Sequence, residues 1–363
     1  MKILIAFTSG DNHNPFVKEL KDALERAGCE VTWSLEDFWD KRGEYDIVHI
    51  QWPEYLFSGE WFLSDLERLR KVLSFWKGRS SIILTRHNRD LHNSDGTGLS
   101  RKLYHLIYSY CDGIAHLGPH DIKDFISEYE KDVYGNTITH TVIPHHIYIH
   151  SYPNNISSTE ARRLLGIKGG QVAVLIFGRI RHADERQFLK KFFAAERKEK
   201  MVFLAPSWLP FDKGNGLKSY LKKSYDRIRL WRINISGNVK VCDEFIADED
   251  IQLYFNASDI LLIPRLYELN SGNVTLGYYF KKVIVGPRVG NIQFSLEESG
   301  NPLYEAGSIQ SLKNAMKQAE KLVRENKGPD NYSFALAHYH PDIIGKQYLE
   351  LYQKCVQCRD SAN

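Results

Sequence analysis

Cysteine is scarce in this sequence, and so is any surplus of charge. There are 5 cysteines among 363 residues, odd in number and scattered except for Cys355 and Cys358. That excludes a disulfide framework and points to a reducing, cytoplasmic setting. The segment CVQC, Cys355 to Cys358, has no second ligand pair near it, so a frayed helix end explains it better than zinc or redox chemistry. Lys and Arg number 48 against 45 Asp and Glu, a net charge of +3. A chain so balanced has no strong field, and nucleic acid is not an expected partner. The segment KSYLKKSYDRIRLWR mixes basic and aromatic residues, but it reads as an exposed helix face. No apolar run approaches the ~18 residues of a membrane span, so membrane contact could only be peripheral, on the inner face. The opening MKILIAFTSG has too short an apolar stretch for a signal peptide and reads as a first strand. Also missing are an internal repeat, a low-complexity tract and a G-x-G-x-x-G fingerprint. The last absence weighs against a dinucleotide oxidoreductase.

What is present is an ordinary globular composition, 43% hydrophobic and 26% charged. At ~150 residues per domain, the length predicts two domains. KILIAFT, EVTWSL, DIVHIQW, SIILTRH, GIAHLG and HTVIPH read as strands. Between them NPFVKELKDALERAG has apolar residues spaced by three and four and ends on Gly28, and residues 61–77 and 98–111 also look helical. Continuous apolar strands alternating with helices predict a parallel sheet covered on both faces. HSYPNNISSTEARRLLGI, residues 150–167, is rich in Pro, Asn and Ser before it turns helical and reads as a linker. QVAVLIFGRI restarts the alternation, which continues through KMVFLAPSW, NVKVCDEF, DILLIPR and VIVGPR; IIGKQYLELYQKCVQC is a last amphipathic helix. The expected fold class is α/β: two Rossmann-like doubly wound parallel-sheet domains, 1–150 and 151–340, facing across a cleft.

In open parallel sheets ligands bind at the carboxyl ends of the strands, so the residues just after each strand carry the information. After the first come Gly10 and Asp11, leading to a helix end that could hold an anion or a sugar hydroxyl, with Asn14 before Pro15 as its cap. After DIVHIQ comes Trp52-Pro53-Glu54; Trp52 reads as packing and Glu54 as the better ligand candidate. His87 ends SIILTRH and could orient a hydroxyl or share a proton. With His92 and Asp95 it could make a metal trio, but that spacing fits no standard site. From Leu66 to Tyr104 there are nine Lys/Arg and three Asp/Glu. This locally basic stretch suits either an anionic acceptor or lipid surface, or simply a solvated helix face. Three histidines crowd HHIYIH, and His145 stands nearest the expected cleft. Gly178-Arg179 ends LIFGR, where a glycine admits a ligand to the backbone and a guanidinium matches phosphate oxygens; Arg181 and Arg186 are close. FLAPSW and VCDEFI end strands suited to a base and a ribose. Ser271-Gly272-Asn273 opens a helix directly after an apolar strand. Such a break puts backbone N–H groups where a diphosphate can sit, with Glu268 beside it for sugar hydroxyls.

DIVHIQWPE, TRHN, VIPHHI, FGRI and above all ASDILLIPRLYELNSGNVTLGYYFKKVIVGP resemble the GT-B glycosyltransferases, closest to family 4, over nearly the whole chain. The resemblance implies a hexosyltransferase of polysaccharide biosynthesis that uses a UDP- or GDP-linked sugar as substrate and a glycan or lipid-linked saccharide as acceptor. It also implies retention of anomeric configuration, no metal and no cofactor. The last helix, 341–363, would cross back to the acceptor domain. Gly10 matches the family's N-terminal glycine loop, His87 its histidine near the donor sugar, Arg179 its phosphate-binding arginine. Glu268 matches the first Glu of the E-x7-E motif, and Ser271 and Gly272 the diphosphate turn. Two positions depart: the phosphate Lys falls at Asp184 and the second Glu at Leu276. Arg181, Arg186 or Arg265 could replace the lost cation. The departures keep two alternatives open, a nucleotide-sugar epimerase and a non-catalytic subunit that binds a nucleotide sugar or glycan.

Overall fold

The computed structural model describes residues 1–8, 14–57, 59–88, 98–129, 138–180, 182–196, 200–208, 238–242 and 246–362. Contacts divide the chain into two units, Met1–Ser151 with His338–Asn363, and Tyr152–Ala337.

The first unit runs β1 (Lys2–Ala6), α1 (Pro15–Arg26), β2 (Glu30–Trp33), α2 (Leu35–Asp40), β3 (Ile47–Ile50), a 3-10 turn (Pro53–Leu56), α3 (Leu63–Lys77), β4 (Ser81–Arg86), α4 (Leu99–Tyr108), β5 (Gly113–His116), α5 (Pro119–Tyr129) and β6 (Thr139–Val142). The sheet is parallel throughout, in the order β2-β1-β3-β4-β5-β6. Because β3 lies on the other side of β1 from β2, the order reverses between β1 and β3, and there the carboxyl edge opens a crevice. Every residue of β3 and β4 is buried, as expected of strands covered on both faces. Asn14 caps α1: its side-chain oxygen accepts the N–H groups of Phe16 and Val17 at 3.0 and 3.4 Å, a bond whose loss typically costs about 1 kcal/mol. EVTWSL is shorter than expected as a strand. Ser34 instead caps α2, its hydroxyl accepting the Asp37 N–H at 3.0 Å.

The second unit runs α6 (Ser158–Leu164), β7 (Val172–Leu175), α7 (Ala183–Ala195), β8 (Met201–Ala205), β9 (Val239–Val241), α8 (Ile251–Ala257), β10 (Ile260–Leu262), α9 (Gly272–Tyr279), β11 (Val283–Pro287), α10 (Gly290–Glu298), β12 (Leu303–Tyr304), α11 (Ile309–Arg324) and most of α12 (Lys327–Tyr339). Its sheet, also parallel, has the order β12-β11-β10-β7-β8-β9, so its switch point lies between β7 and β10. The core on one side joins Phe188, Phe192 and Phe203 to Leu262, Val285 and Tyr304.

The last helix, α13 (Pro341–Ala362), belongs to the first unit. It lies close because small residues meet it: a Cβ on Gly345 would stand 2.9 Å from the Ala23 Cβ, and one on Gly113 2.8 Å from the Cys355 sulfur. The frayed end expected at CVQC is therefore wrong. Cys355 is buried in that helix and only Cys358 is exposed. No helix among the described residues is long and apolar enough to cross a membrane.

Candidate functional site

At the switch point of the second unit, the chain leaves β7 through Ile176 and Phe177 into Gly178, whose φ of +79° suits glycine. Two residues hold this turn. Asn273, in the first turn of α9, donates its side-chain N–H to the Phe177 carbonyl at 2.7 Å. Arg265, after β10, donates to the Arg179 carbonyl at 2.9 Å and to the buried Glu185 carboxylate at 3.1 Å. The Arg179 side chain itself is exposed. Helix α9 begins at Gly272, and the Ser271 hydroxyl makes no capping bond to it. The first N–H groups of a helix have no intrahelical acceptor and carry the positive end of its dipole. The structure thus brings Gly178, Arg179, Ser271, Gly272 and Asn273 to one strand edge.

Glu268 precedes this turn. It is half-buried, with His182 Nε2 4.0 Å from its carboxylate. Its loop is pinned by α10, a contribution the sequence reading missed. The Asn291 N–H donates to the Leu269 carbonyl at 2.8 Å, and its side-chain amide to Asn270 at 2.8 Å. Gly290 sits at φ +51°, where a Cβ would collide with the carbonyl oxygens of Glu268 and Leu269. The signal was the glycine following VIVGPRV, three residues past a strand end.

The departures have structural uses. Asp184 stands in the first turn of α7, accepting the Glu185 N–H and the Tyr267 hydroxyl, both at 2.9 Å. Leu276 is buried in α9. Of the suggested substitute cations, Arg265 is committed to Glu185 and the Arg179 carbonyl, and Arg186 donates to the Ile180 carbonyl at 2.7 Å; Arg181 lies outside the described residues. After β8, Trp208 is buried in the core, packed on Phe193 with ring centroids 5.8 Å apart. Pro206 and Cys242 line an apolar cavity of about 320 Å³ beside Leu204, Val241 and Tyr254.

In the first unit, the edge near the β1–β3 switch point is aromatic. Trp52, after β3, stacks on His87, after β4, with centroids 3.7 Å apart and 15° between planes. Phe16 of α1 meets His87 edge-on at 4.7 Å and His145 at 4.8 Å. Tyr55 is 49% exposed and contacts both Phe7 and Trp52. Trp52 thus packs as expected, but it packs on the candidate histidine. His87 is nearly buried, its Nε2 3.0 Å from the Gln51 side-chain oxygen. Glu54, on the 3-10 turn, accepts the Tyr104 hydroxyl at 2.9 Å, and burial raises its pKa above the usual carboxylate range. His145 donates from Nδ1 to the His146 carbonyl at 2.7 Å and pairs through Nε2 with the Tyr148 hydroxyl at 3.0 Å. Burial lowers its pKa to about 4, so it is a neutral packed ring. Gly10, Asp11, His92 and Asp95 lie outside the described residues.

The basic stretch from Leu66 to Tyr104 is less of a surface than its charge count implied. Arg86 is buried, donating to Tyr108 at 3.1 Å and to Asp121, with Asp124 at 3.1 Å. Lys77 pairs with Asp112 at 2.8 Å, and Arg68 and Arg79 lie over Trp39 and Phe75.

No protein-family model and no curated protein matches the chain by sequence. Solved structures do match by shape. A sucrose-phosphate synthase from Thermosynechococcus elongatus is 14% identical with a TM-score of 0.70, the match covering 98% of this chain and 99% of that one. The Anabaena protein HepE, in complex with UDP-glucose, is 15% identical with a TM-score of 0.71, covering 98% and 100%. The catalytic domain of starch synthase IV from Arabidopsis thaliana, bound to ADP and acarbose, is 11% identical with a TM-score of 0.65, covering 98% and 99%. The chain therefore has the GT-B fold, two Rossmann-like units in tandem, that these glycosyltransferase structures share.

Proposed function

We propose that the protein is a glycosyltransferase that moves a hexose-type sugar from a nucleoside-diphosphate sugar to a glycan or lipid-linked acceptor, with retention and without a metal. One observation carries this reading: Gly178-Arg179 and the N-terminus of α9 converge at the switch point of the second unit, tied by the Asn273 bond to Phe177. A diphosphate there meets a guanidinium and unpaired helix N–H groups, which stabilise the charge that grows as it departs. Glu268 accepts hydroxyls of the donor sugar. The bond from the anomeric carbon to the diphosphate breaks, and a bond to the acceptor oxygen forms on the same face. The acceptor's proton passes to the departing phosphate oxygen. In the first unit, Trp52, Tyr55 and Glu54 form the surface we assign to the acceptor, an apolar ring face being suited to aromatic walls and its hydroxyl rim to Glu54, while His87 keeps the donor-sugar role that the family resemblance implies. The UDP-glucose in the HepE structure and the ADP in the starch synthase structure make UDP- and ADP-sugars the first donors to try, with GDP-sugars next.

The test is thermal stability against UDP-, ADP-, GDP- and CMP-sugars, repeated with Arg179→Ala. A donor at 100 times its Kd should stabilise the wild type by about 2.7 kcal/mol, and Arg179→Ala should abolish the shift. Binding without turnover on any acceptor pool would favour the non-catalytic reading that Asp184 and Leu276 suggest, and release of free nucleoside diphosphate without acceptor the epimerase. No stabilisation by any nucleotide at millimolar concentration would end the transferase reading.

A further inference from the structure

Beneath His87 lies a buried polar chain that neither the sequence reading nor the fold comparison assigns to anything. His49, in the middle of β3, is fully buried, as are Gln51, Thr85, Tyr348 and Tyr352. The Tyr352 hydroxyl, from α13, is 2.7 Å from His49 Nδ1. The Thr85 hydroxyl is 2.8 Å from His49 Nε2 and 2.9 Å from the Tyr348 hydroxyl. The Gln51 amide nitrogen lies 3.0 Å from His49 Nε2 and 3.2 Å from Nδ1, and its oxygen 3.0 Å from His87 Nε2. Five polar side chains at zero exposure are an expensive arrangement unless each is satisfied, and here each finds a partner.

The chain has a direction. Burial lowers the His49 pKa to about 3, so the ring is neutral at physiological pH and has a lone pair for a donor. Hydroxyls can give or accept, but an amide nitrogen can only give. Gln51 lies with its nitrogen end against the His49 ring and its oxygen end toward His87. That oxygen can only accept, which requires a proton on His87 Nε2.

We infer that His49 and Gln51 are positioning residues that hold His87 in its Nε2–H tautomer and fix its ring against Trp52, with Tyr352 and Tyr348 of α13 locking His49 from behind. In the neutral ring the accepting nitrogen is then Nδ1, so a substrate hydroxyl that reaches this ring would give its proton in a hydrogen bond rather than take one. This role for the hydroxyl rests on the transferase reading; the tautomer does not. A histidine held this way needs a third group to orient it, the usual arrangement wherever a side chain must hold one protonation geometry.

The test is a long-range proton–nitrogen spectrum of the full chain labelled with nitrogen-15 histidine, which separates the Nε2–H from the Nδ1–H tautomer without any substrate. The wild type should show His87 as Nε2–H. Gln51→Met should convert it to a mixture or to Nδ1–H. Tyr352→Phe keeps the ring packing but removes one hydroxyl from His49, and should shift the His87 signals in the same direction by a smaller amount. If Gln51→Met fails to fold, Gln51→Glu serves instead: its carboxylate should strengthen the Nε2–H bond and raise the His87 pKa by at least a unit. Wild-type His87 in the Nδ1–H form would overturn the inference, and so would a folded Gln51→Met or Gln51→Glu with an unchanged His87 spectrum. Because no nucleotide sugar enters the measurement, failure here is distinct from failure of the transferase reading. If that reading holds, Gln51→Met should lower kcat tenfold or more with little change in the KM for donor.

Discussion

The two units share a parallel doubly wound sheet, yet they furnish their switch points with opposite materials. The edge of the second unit is made of backbone and cation: a left-handed glycine, the opening turn of a helix, an exposed arginine and a buried Arg265–Glu185 pair that fixes the arginine's carbonyl. The edge of the first unit is made of rings, Trp52 on His87 on Phe16, over buried neutral histidines. The first kind of edge answers to negative charge, because helix N-termini and guanidinium groups favour anions. The second answers to shape and to hydroxyls, because it is lined by aromatic rings and by hydrogen-bonding side chains held in one orientation. One sheet architecture therefore supports either chemistry, and the residues after the strands decide which.

The sharpest way to break this comparison is through the buried charges that support each edge. Arg86→Leu leaves Asp121 buried without its cation and should destabilise the protein by ~3–5 kcal/mol, read as a drop in the urea midpoint. Arg265→Leu strands Glu185 in the same way, but it also frees the turn at Arg179, so nucleotide stabilisation should fall with it. Nucleotide binding that survives Arg265→Leu intact would separate the two features.

Acid should distinguish the units next. His49 and His146 are fully buried, and burial lowers both pKa values to about 3. The folded state thus binds these protons less readily than the unfolded chain, whose histidines titrate near 6.5. Stability from these neutral rings is complete above pH 6.5 and declines as the pH falls toward 3. Each histidine should cost roughly 2 kcal/mol between pH 6.5 and 5. In the second unit the displaced cation is Lys282, whose pKa burial lowers to about 8, outside that window. Peptide-resolved hydrogen exchange, corrected for intrinsic rates, should show the first unit losing protection first. Loss of protection in the second unit at the same or higher pH would contradict this.

The smallest effect tests the pinned loop. Gly290→Ala should lower stability by about 1–3 kcal/mol, since both φ and space oppose a side chain there. It should weaken nucleotide stabilisation more than its effect on the urea midpoint suggests, because Glu268 shares the loop it displaces.

Much of this was legible in the sequence. Continuous apolar strands and their punctuation gave the parallel sheets, and Ser271-Gly272-Asn273 marked the helix opening, because periodicity and glycine act locally. What was not legible acts at a distance. Arg86 was counted with a basic stretch because a charge count does not register burial; only the fold brings it to Asp121. Arg265 looked available until Glu185, 80 positions away, was placed beside it. Gly290 reads as an ordinary turn until the loop carrying Glu268 is laid across it. His49 offered no signal at all, since the hydroxyls that meet it come from β4 and from the last helix.

That last partnership bears on how the protein is made. Tyr352 follows His49 by 303 residues, and the whole second unit lies between them. At ~5–20 residues per second, the ribosome takes roughly 15 to 60 s to supply the hydroxyl that His49 pairs with. The first unit must wait that long with the sheet face that α13 covers, His49 and Thr85 included, left open, while the second can close from contiguous chain. Any helper that shields a half-finished domain during synthesis would find its client in the half that is translated first.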